Sequence, residues 1–231
     1  MPTPSSNPVH VLIASDAWGT RHILTICQSL PREQFHRHFA IGLGSLHNTL
    51  THVVGAMRFW TDRLAERPVR RSLIARSTHP NPNADARDRT PDELLTLLDD
   101  AERDLLAVAA AACLDTPSQR EGEGGGRIGS VGATNAGAPR TSTIPRGLHS
   151  TLSLDWPAGP PHPPGSIKTY TFTRAAVLAH VTTHGYHHRA QCLNMLRQLG
   201  APVPGVTDGY PELSAVDWQA EVESPAVVRG G

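Results

Sequence analysis

The segment "HVTTHGYHHRAQCLNMLRQLG" carries four histidines, His180, His184, His187 and His188. On a helix, residues four apart stand one turn apart, about 6 Å in rise. His184 and His188 therefore project from one face and can reach a single ion with Zn–N bonds of about 2.0 to 2.1 Å. Adding His180 stretches the trio over about 12 Å, too far for one ion, so a third ligand must come from another element. At about 100° per residue, Val177, Val181, His184, His188, Cys192, Met195 and Leu199 form one stripe. His180 and His187 lie towards one edge of it and Tyr186 points the other way. Two neutral core histidines, hydrogen-bonded across the interior, account for this pattern about as well as a metal does.

A second histidine pair, His47 and His52, lies in "SLHNTLTHVVGAMRFWTDRL". The apolar stripe of that segment (Leu46, Leu50, Val53, Met57, Trp60, Leu64) leaves both at its margins, on opposite sides, and periodicity does not choose between them. Trp60 either lines a pocket or is plain core. His36, His38, His79 and His162 stand in polar or Pro-rich surroundings that give them no ligand pattern. Zinc peptidases of the His-Glu-x-x-His type need a glutamate directly after the first histidine, and here that residue is Gly185. Cys27, Cys113 and Cys192 are too widely spaced for a Cys-x-x-Cys metal pattern and odd in number, which favours buried reduced thiols.

Four helical segments must position these residues, at about 10–30, 45–65, 91–114 and 173–199. Pro31 closes the first, and Pro68 follows the second. The third opens on Thr90 as N-cap, Pro91 at the first helical position and acids in the first turn. The fourth ends at Gly200, a natural C-terminal cap, with Pro202 beyond. Between the third and fourth helices, the Gly-rich stretch at about 116–146 has too few large apolar residues to order a core, which predicts a mobile surface insertion. It lacks the Gly-Lys-Ser/Thr ending of a P-loop. "STLSLDW" and "KTYTFT" alternate and are rich in β-formers, which permits a small two-stranded β addition there. The pattern predicts an all-α, four-helix bundle in a single domain spanning 1–231, with its site built from inward side chains of facing helices.

Lysine plus arginine and aspartate plus glutamate are balanced at 21 each among 231 residues. No net field then draws the protein to nucleic acid, a membrane surface or an acidic partner, and a small-molecule substrate is the expectation. The apolar runs are shorter than the roughly 20 residues of a spanning helix, and no signal-type segment opens the chain, so the cytoplasm is expected.

"TLTHVVGAMRFWTDRL" and "HVTTHGYHHRAQCLNMLRQLG" resemble the two signature helices of the DinB/YfiT-like superfamily of four-helix-bundle metalloproteins, and "ASDAWGTRHIL" resembles its first helix. The resemblance covers all four helices and not the Gly-rich insertion. It implies a divalent transition metal held by His52, His184 and His188, with His47 in reserve. Ala190, Thr183 and Met57 depart from the family's usual glycine, asparagine and acid. Zinc is the first expectation for the ion, with nickel, iron or manganese as alternatives. His180, His187, Arg189, Gln191 and Trp60 are candidates for orienting the ligands or lining a pocket.

Three imidazoles with an open coordination position are the catalytic type of site, able to acidify a water or to hold a deprotonated thiol. Characterised relatives use low-molecular-weight thiols, so the resemblance implies a thiol-dependent transferase or isomerase, and a homodimer. Two other readings stand beside it. One is a non-catalytic, stress-related metal- or ligand-binding bundle. The other is a histidine-ligated iron enzyme or metal-dependent hydrolase.

Overall fold

Each long helix begins where a side chain replaces the missing backbone acceptor of its first turn. In the computed structural model, which describes residues 7–74, 84–114, 147–157, 162–163, 165–201 and 213–223, Asn7 accepts from the Val9 and His10 amides to open α1 (Pro8–Gln28). A short α2 (Arg32–Phe35) follows Pro31. Ser45 caps α3 (Leu46–Leu64) by accepting from the Asn48 amide. Thr90 opens α4 (Pro91–Leu114) with a reciprocal pair: its hydroxyl accepts from the Glu93 amide at 3.3 Å and its own amide donates to the Glu93 carboxylate at 2.9 Å. Thr90→Ala should cost about 1 kcal/mol of stability in urea denaturation; an unchanged midpoint would show that tertiary packing alone fixes this helix end.

Strands β1 (Thr151–Pro157) and β2 (Ile167–Thr173) form one antiparallel hairpin, with Thr151 opposite Thr173. This is the small sheet between the last two long helices. Leu152 and Leu154 point inwards and alternate with exposed Thr151, Ser153 and Asp155, whereas most of β2 faces solvent. The chain passes from β2 directly into α5 (Arg174–Leu199), which Thr173 caps and Gly200 ends at φ 64°, a left-handed conformation open to glycine. A short α6 (Ala215–Trp218) and a π-helical turn (Gln219–Glu223) close the described chain. Residues 115–146, which hold the Gly-rich stretch, lie outside the described residues.

The long helices pack in a closed ring, with α1 against α4 and α5, and α3 against the same two. The result is an all-α, four-helix bundle whose interior holds Ile13, Ile23, Leu24, Leu50, Met57, Leu98, Leu105 and Met195, all essentially without solvent contact. Burying each side chain of this size contributes about 1.5 to 3 kcal/mol, which sets the lateral position of α3 against α5. Arg174 sets their axial position. From the first turn of α5 it donates to the Leu64 carbonyl at the end of α3, pairs with Glu66, and reaches Ser150 at 3.0 Å. A cation at that helix C-terminus also meets the negative end of the helix dipole. None of the described helices is long and apolar enough to cross a membrane.

Candidate metal centre

The facing sides of α3 and α5 bring His52, His184 and His188 together. The Nε2 atoms of His52 and His184 are 3.0 Å apart, and those of His184 and His188 are 3.2 Å apart. Donors about 2.05 Å from a tetrahedral ion are separated by about 3.3 Å, so His184 Nε2 stands at nearly that spacing from each of the other two nitrogens. One donor atom from each residue lies within 4.8 Å of the others, as a group able to hold a metal ion requires. His188 is buried, and His52 and His184 are half-buried, so solvent reaches one side of the group.

Hydrogen bonding fixes which nitrogen of His188 is free. Gln191 donates its amide to His187 Nε2 at 2.9 Å, which turns its carbonyl oxygen to His188 Nδ1, also at 2.9 Å. Nδ1 of His188 therefore carries the proton, and its Nε2 lone pair points into the group. Burial pushes the His188 imidazole below its ordinary range, against an opposing effect of the Gln191 hydrogen bond, which keeps it neutral near pH 7. His184 Nε2 faces both of the other nitrogens, and with each ring protonated at Nδ1 an ion among the three would take a lone pair from each. The donor set thus fits a divalent transition ion.

Gln191 is itself held by the loop before α3. Gly42 adopts φ 51°, and a Cβ there would lie 2.1 Å from the Gln191 carbonyl oxygen, so a bare backbone is required at this contact. Arg189, a sequence candidate for holding substrate, turns away from the histidines. It is buried against α1, where one guanidinium nitrogen donates to the Asp16 carbonyl at 2.9 Å and to the Asp16 carboxylate. Two glycines allow this approach: a Cβ at Gly185 would meet the Asp16 carboxylate at 2.2 Å, and one at Gly19 would meet Arg189 Nε at 2.9 Å. The glycine that excludes a peptidase motif thus makes room for a buried ion pair. Asp16 escaped the sequence reading, although an acid inside the apolar run "LIASDAW" is a usable signal.

His180 stands outside the three-nitrogen group. Its ring lies 5.2 Å from that of His184 and edge-on to Trp60 at 5.5 Å, and Trp60 in turn meets Phe172 of β2 at 6.2 Å. These rings form a wall from the histidines to the hairpin. Cys192 is fully buried, and burial pushes its thiol up to about 12, so it is packing rather than a nucleophile. A groove of about 420 Å³ lined by Arg63, Glu66, Arg67 and Thr151–Leu154 opens beside the hairpin. Its nearest α3 residue is eleven positions past His52, about 16 Å in rise, so it does not adjoin the histidines.

His47 joins a different set of side chains. Its ring stacks on that of His36 at 4.4 Å, and both rings face Asp88. Sequence reasoning missed this group because His36 and Asp88 lie outside the periodic helices, in segments where spacing carries no orientation.

Comparison with curated proteins finds no match. The model of the DinB family matches residues 1–123 and 163–220, which takes in all four bundle helices and all three histidines of the centre. On that match, and with the bundle and the facing histidines in place, the chain belongs to the DinB family.

Proposed function

We propose that the protein is a divalent-metal-dependent enzyme in which His52, His184 and His188 hold the ion, zinc foremost, and a low-molecular-weight thiol is the cosubstrate. The observation that carries this reading is the convergence of three Nε2 atoms, with the His188 lone pair aimed inwards by Gln191. Structural zinc sites are closed by four protein ligands, whereas three imidazoles leave a position for an exogenous group. A bound ion of this kind deprotonates a coordinated thiol at neutral pH.

The chain's own residues would do the rest. The His52, His184 and His188 imidazoles would hold the ion from one side and leave a position open towards solvent. Trp60, His180 and Phe172 present an aromatic wall against which the apolar part of an electrophile packs, and the half-buried setting limits competing water. The thiolate sulfur then forms a bond to the electrophilic carbon as the leaving group departs with its electron pair. In an isomerase no group of the substrate leaves: the thiolate adds to a carbon–carbon double bond, and the electron pair moves onto the neighbouring carbon and its conjugated acceptor. After rotation the same pair re-forms the double bond and expels the thiolate.

Elemental analysis and zinc titration of protein without a histidine tag test the ligand set. His52→Ala and His184→Ala should lose the tightly bound ion, and His47→Ala should keep it. Cobalt-loaded protein tests the thiol: adding 2-mercaptoethanol should produce a sulfur-to-cobalt charge-transfer band that His184→Ala lacks. An ion that binds tightly and raises stability, but never gives that band, would instead favour the non-catalytic bundle.

A further inference from the structure

We propose that His36, His47 and Asp88 form a second divalent-metal site, separate from the three-histidine centre, where α2, the start of α3 and the segment leading into α4 meet. One donor atom from each of the three residues lies within 4.8 Å of the others. Asp88 Oδ1 is 3.1 Å from His36 Nε2 and 3.4 Å from His47 Nε2. These separations suit donors about 2.0 to 2.2 Å from a common ion.

The hydrogen bonds around His47 leave it ready to ligate. Asn48 donates its amide to the Leu43 carbonyl at 3.3 Å, so its own carbonyl oxygen is turned to His47 Nδ1 at 3.2 Å. Nδ1 then carries the ring proton, and Nε2 is a lone pair. The Arg89 backbone amide, which approaches the same Nε2 at a long 3.4 Å, confirms its acceptor role. That lone pair also faces the Asp88 carboxylate oxygen at 3.4 Å, so an ion taken up between the two would replace the long Arg89 contact. Asn48 thus does for His47 what Gln191 does for His188.

Asp88 is prepared in the same way. Arg32 pairs with its other oxygen, Oδ2, and leaves Oδ1 to the imidazoles. Phe35 meets both rings edge-on, at 5.5 Å for His36 and 5.6 Å for His47, and backs the group with an apolar wall. Asp88 is exposed and His36 half-buried, so an ion can enter from solvent. His47 and His52 are five residues apart on α3, about 7.5 Å in rise, and on opposite margins of its apolar stripe. The two groups therefore cannot share an ion.

Two imidazoles and one carboxylate suit zinc or another borderline divalent ion, with water in the remaining positions. The stacked rings lie only 25° apart in plane, and a metal must lie in the plane of each ligand ring. The more exposed His36 has to swing open on binding. That requirement makes this the weaker of the two sites, and it ties α2 and the approach to α4 onto α3.

The test is zinc titration calorimetry on the full-length chain after chelator treatment. The His52→Ala/His184→Ala variant should still bind one zinc ion, and adding His36→Gln or Asp88→Asn should weaken that binding at least about tenfold. Should the double variant fail to fold, the wild type serves instead. Its second, weaker equivalent of zinc should disappear in His36→Gln while the first remains. The proposal is overturned if folded protein binds no zinc beyond the three-histidine centre, or if binding beyond it is indifferent to both substitutions. Neither result touches the tight site, whose loss in His184→Ala is read separately.

Discussion

Arg189→Ala should lower folding stability by about 3 to 5 kcal/mol, the range for removing one partner of a buried ion pair. The magnitude follows from what is left behind. Asp16 is 2 % and Arg189 5 % exposed, so truncating the arginine strands a carboxylate with no route to water. The pair is also poorly compensated, because Asp16 Oδ2 and Arg189 Nε have no hydrogen-bond partner among the described residues. Asp16→Leu with Arg189→Met should therefore recover most of the loss, since two apolar groups remove both desolvation costs. Urea denaturation of the metal-free protein separates the cases; equal losses in the single and double variants would mean that helix packing, rather than charge, is at stake.

The same pair gives a pH signature of defined sign. Burial pushes the Asp16 carboxyl up to about 6, with Arg189 opposing. The folded state thus holds this proton more tightly than the unfolded chain. The contribution is fully present below about pH 4 and is lost as pH rises through about 6, on the order of 3 kcal/mol in all. Asp16→Asn should flatten that part of the stability profile. Asp62 acts in the opposite sense: burial raises its carboxyl, but hydrogen bonds from Arg70 and Arg67 together hold it below its ordinary value, so its contribution fades as acid protonates it.

What the sequence disclosed and what it hid divide along a physical line. Helical periodicity and end signals are local, and so Thr90, Gly200 and the inward stripe of α5 could be read without coordinates. The stripe separated His184 and His188 from exposed Tyr186 and His187 for the same reason. The choice of His52 over His47 was not local. Both lie at the margins of one stripe, and only the family resemblance favoured His52. The structure separates the two by which neighbours flank α3: α5 brings His184 and His188 to His52, while the turn after α2 brings His36 to His47. Arg189 was misplaced because one helix face can serve two neighbours. α5 packs against α3 and α1, and a side chain one residue from a candidate ligand points to the wrong helix for that site.

Gln191→Ala should weaken zinc binding by about 10- to 100-fold, the range for removing a group that orients a ligand imidazole, with little change in the fold of the metal-free protein. Gln191 touches no ion in this arrangement. It acts through His188, whose Nδ1 proton it accepts, and through His187, to which it donates. Without it, the His188 ring can carry its proton on Nε2, and metal binding must first reverse that tautomer and re-aim the ring. Gly42→Ala should reproduce part of the effect without altering any polar group, because its Cβ would displace the Gln191 carbonyl and its φ of 51° resists a side chain. Competition with a chromophoric chelator at fixed pH measures both variants. A shared weakening places the loop of Gly42 in the chain of contacts that aims His188. Unchanged affinity in Gln191→Ala would mean that the bundle packing alone holds the ring in place.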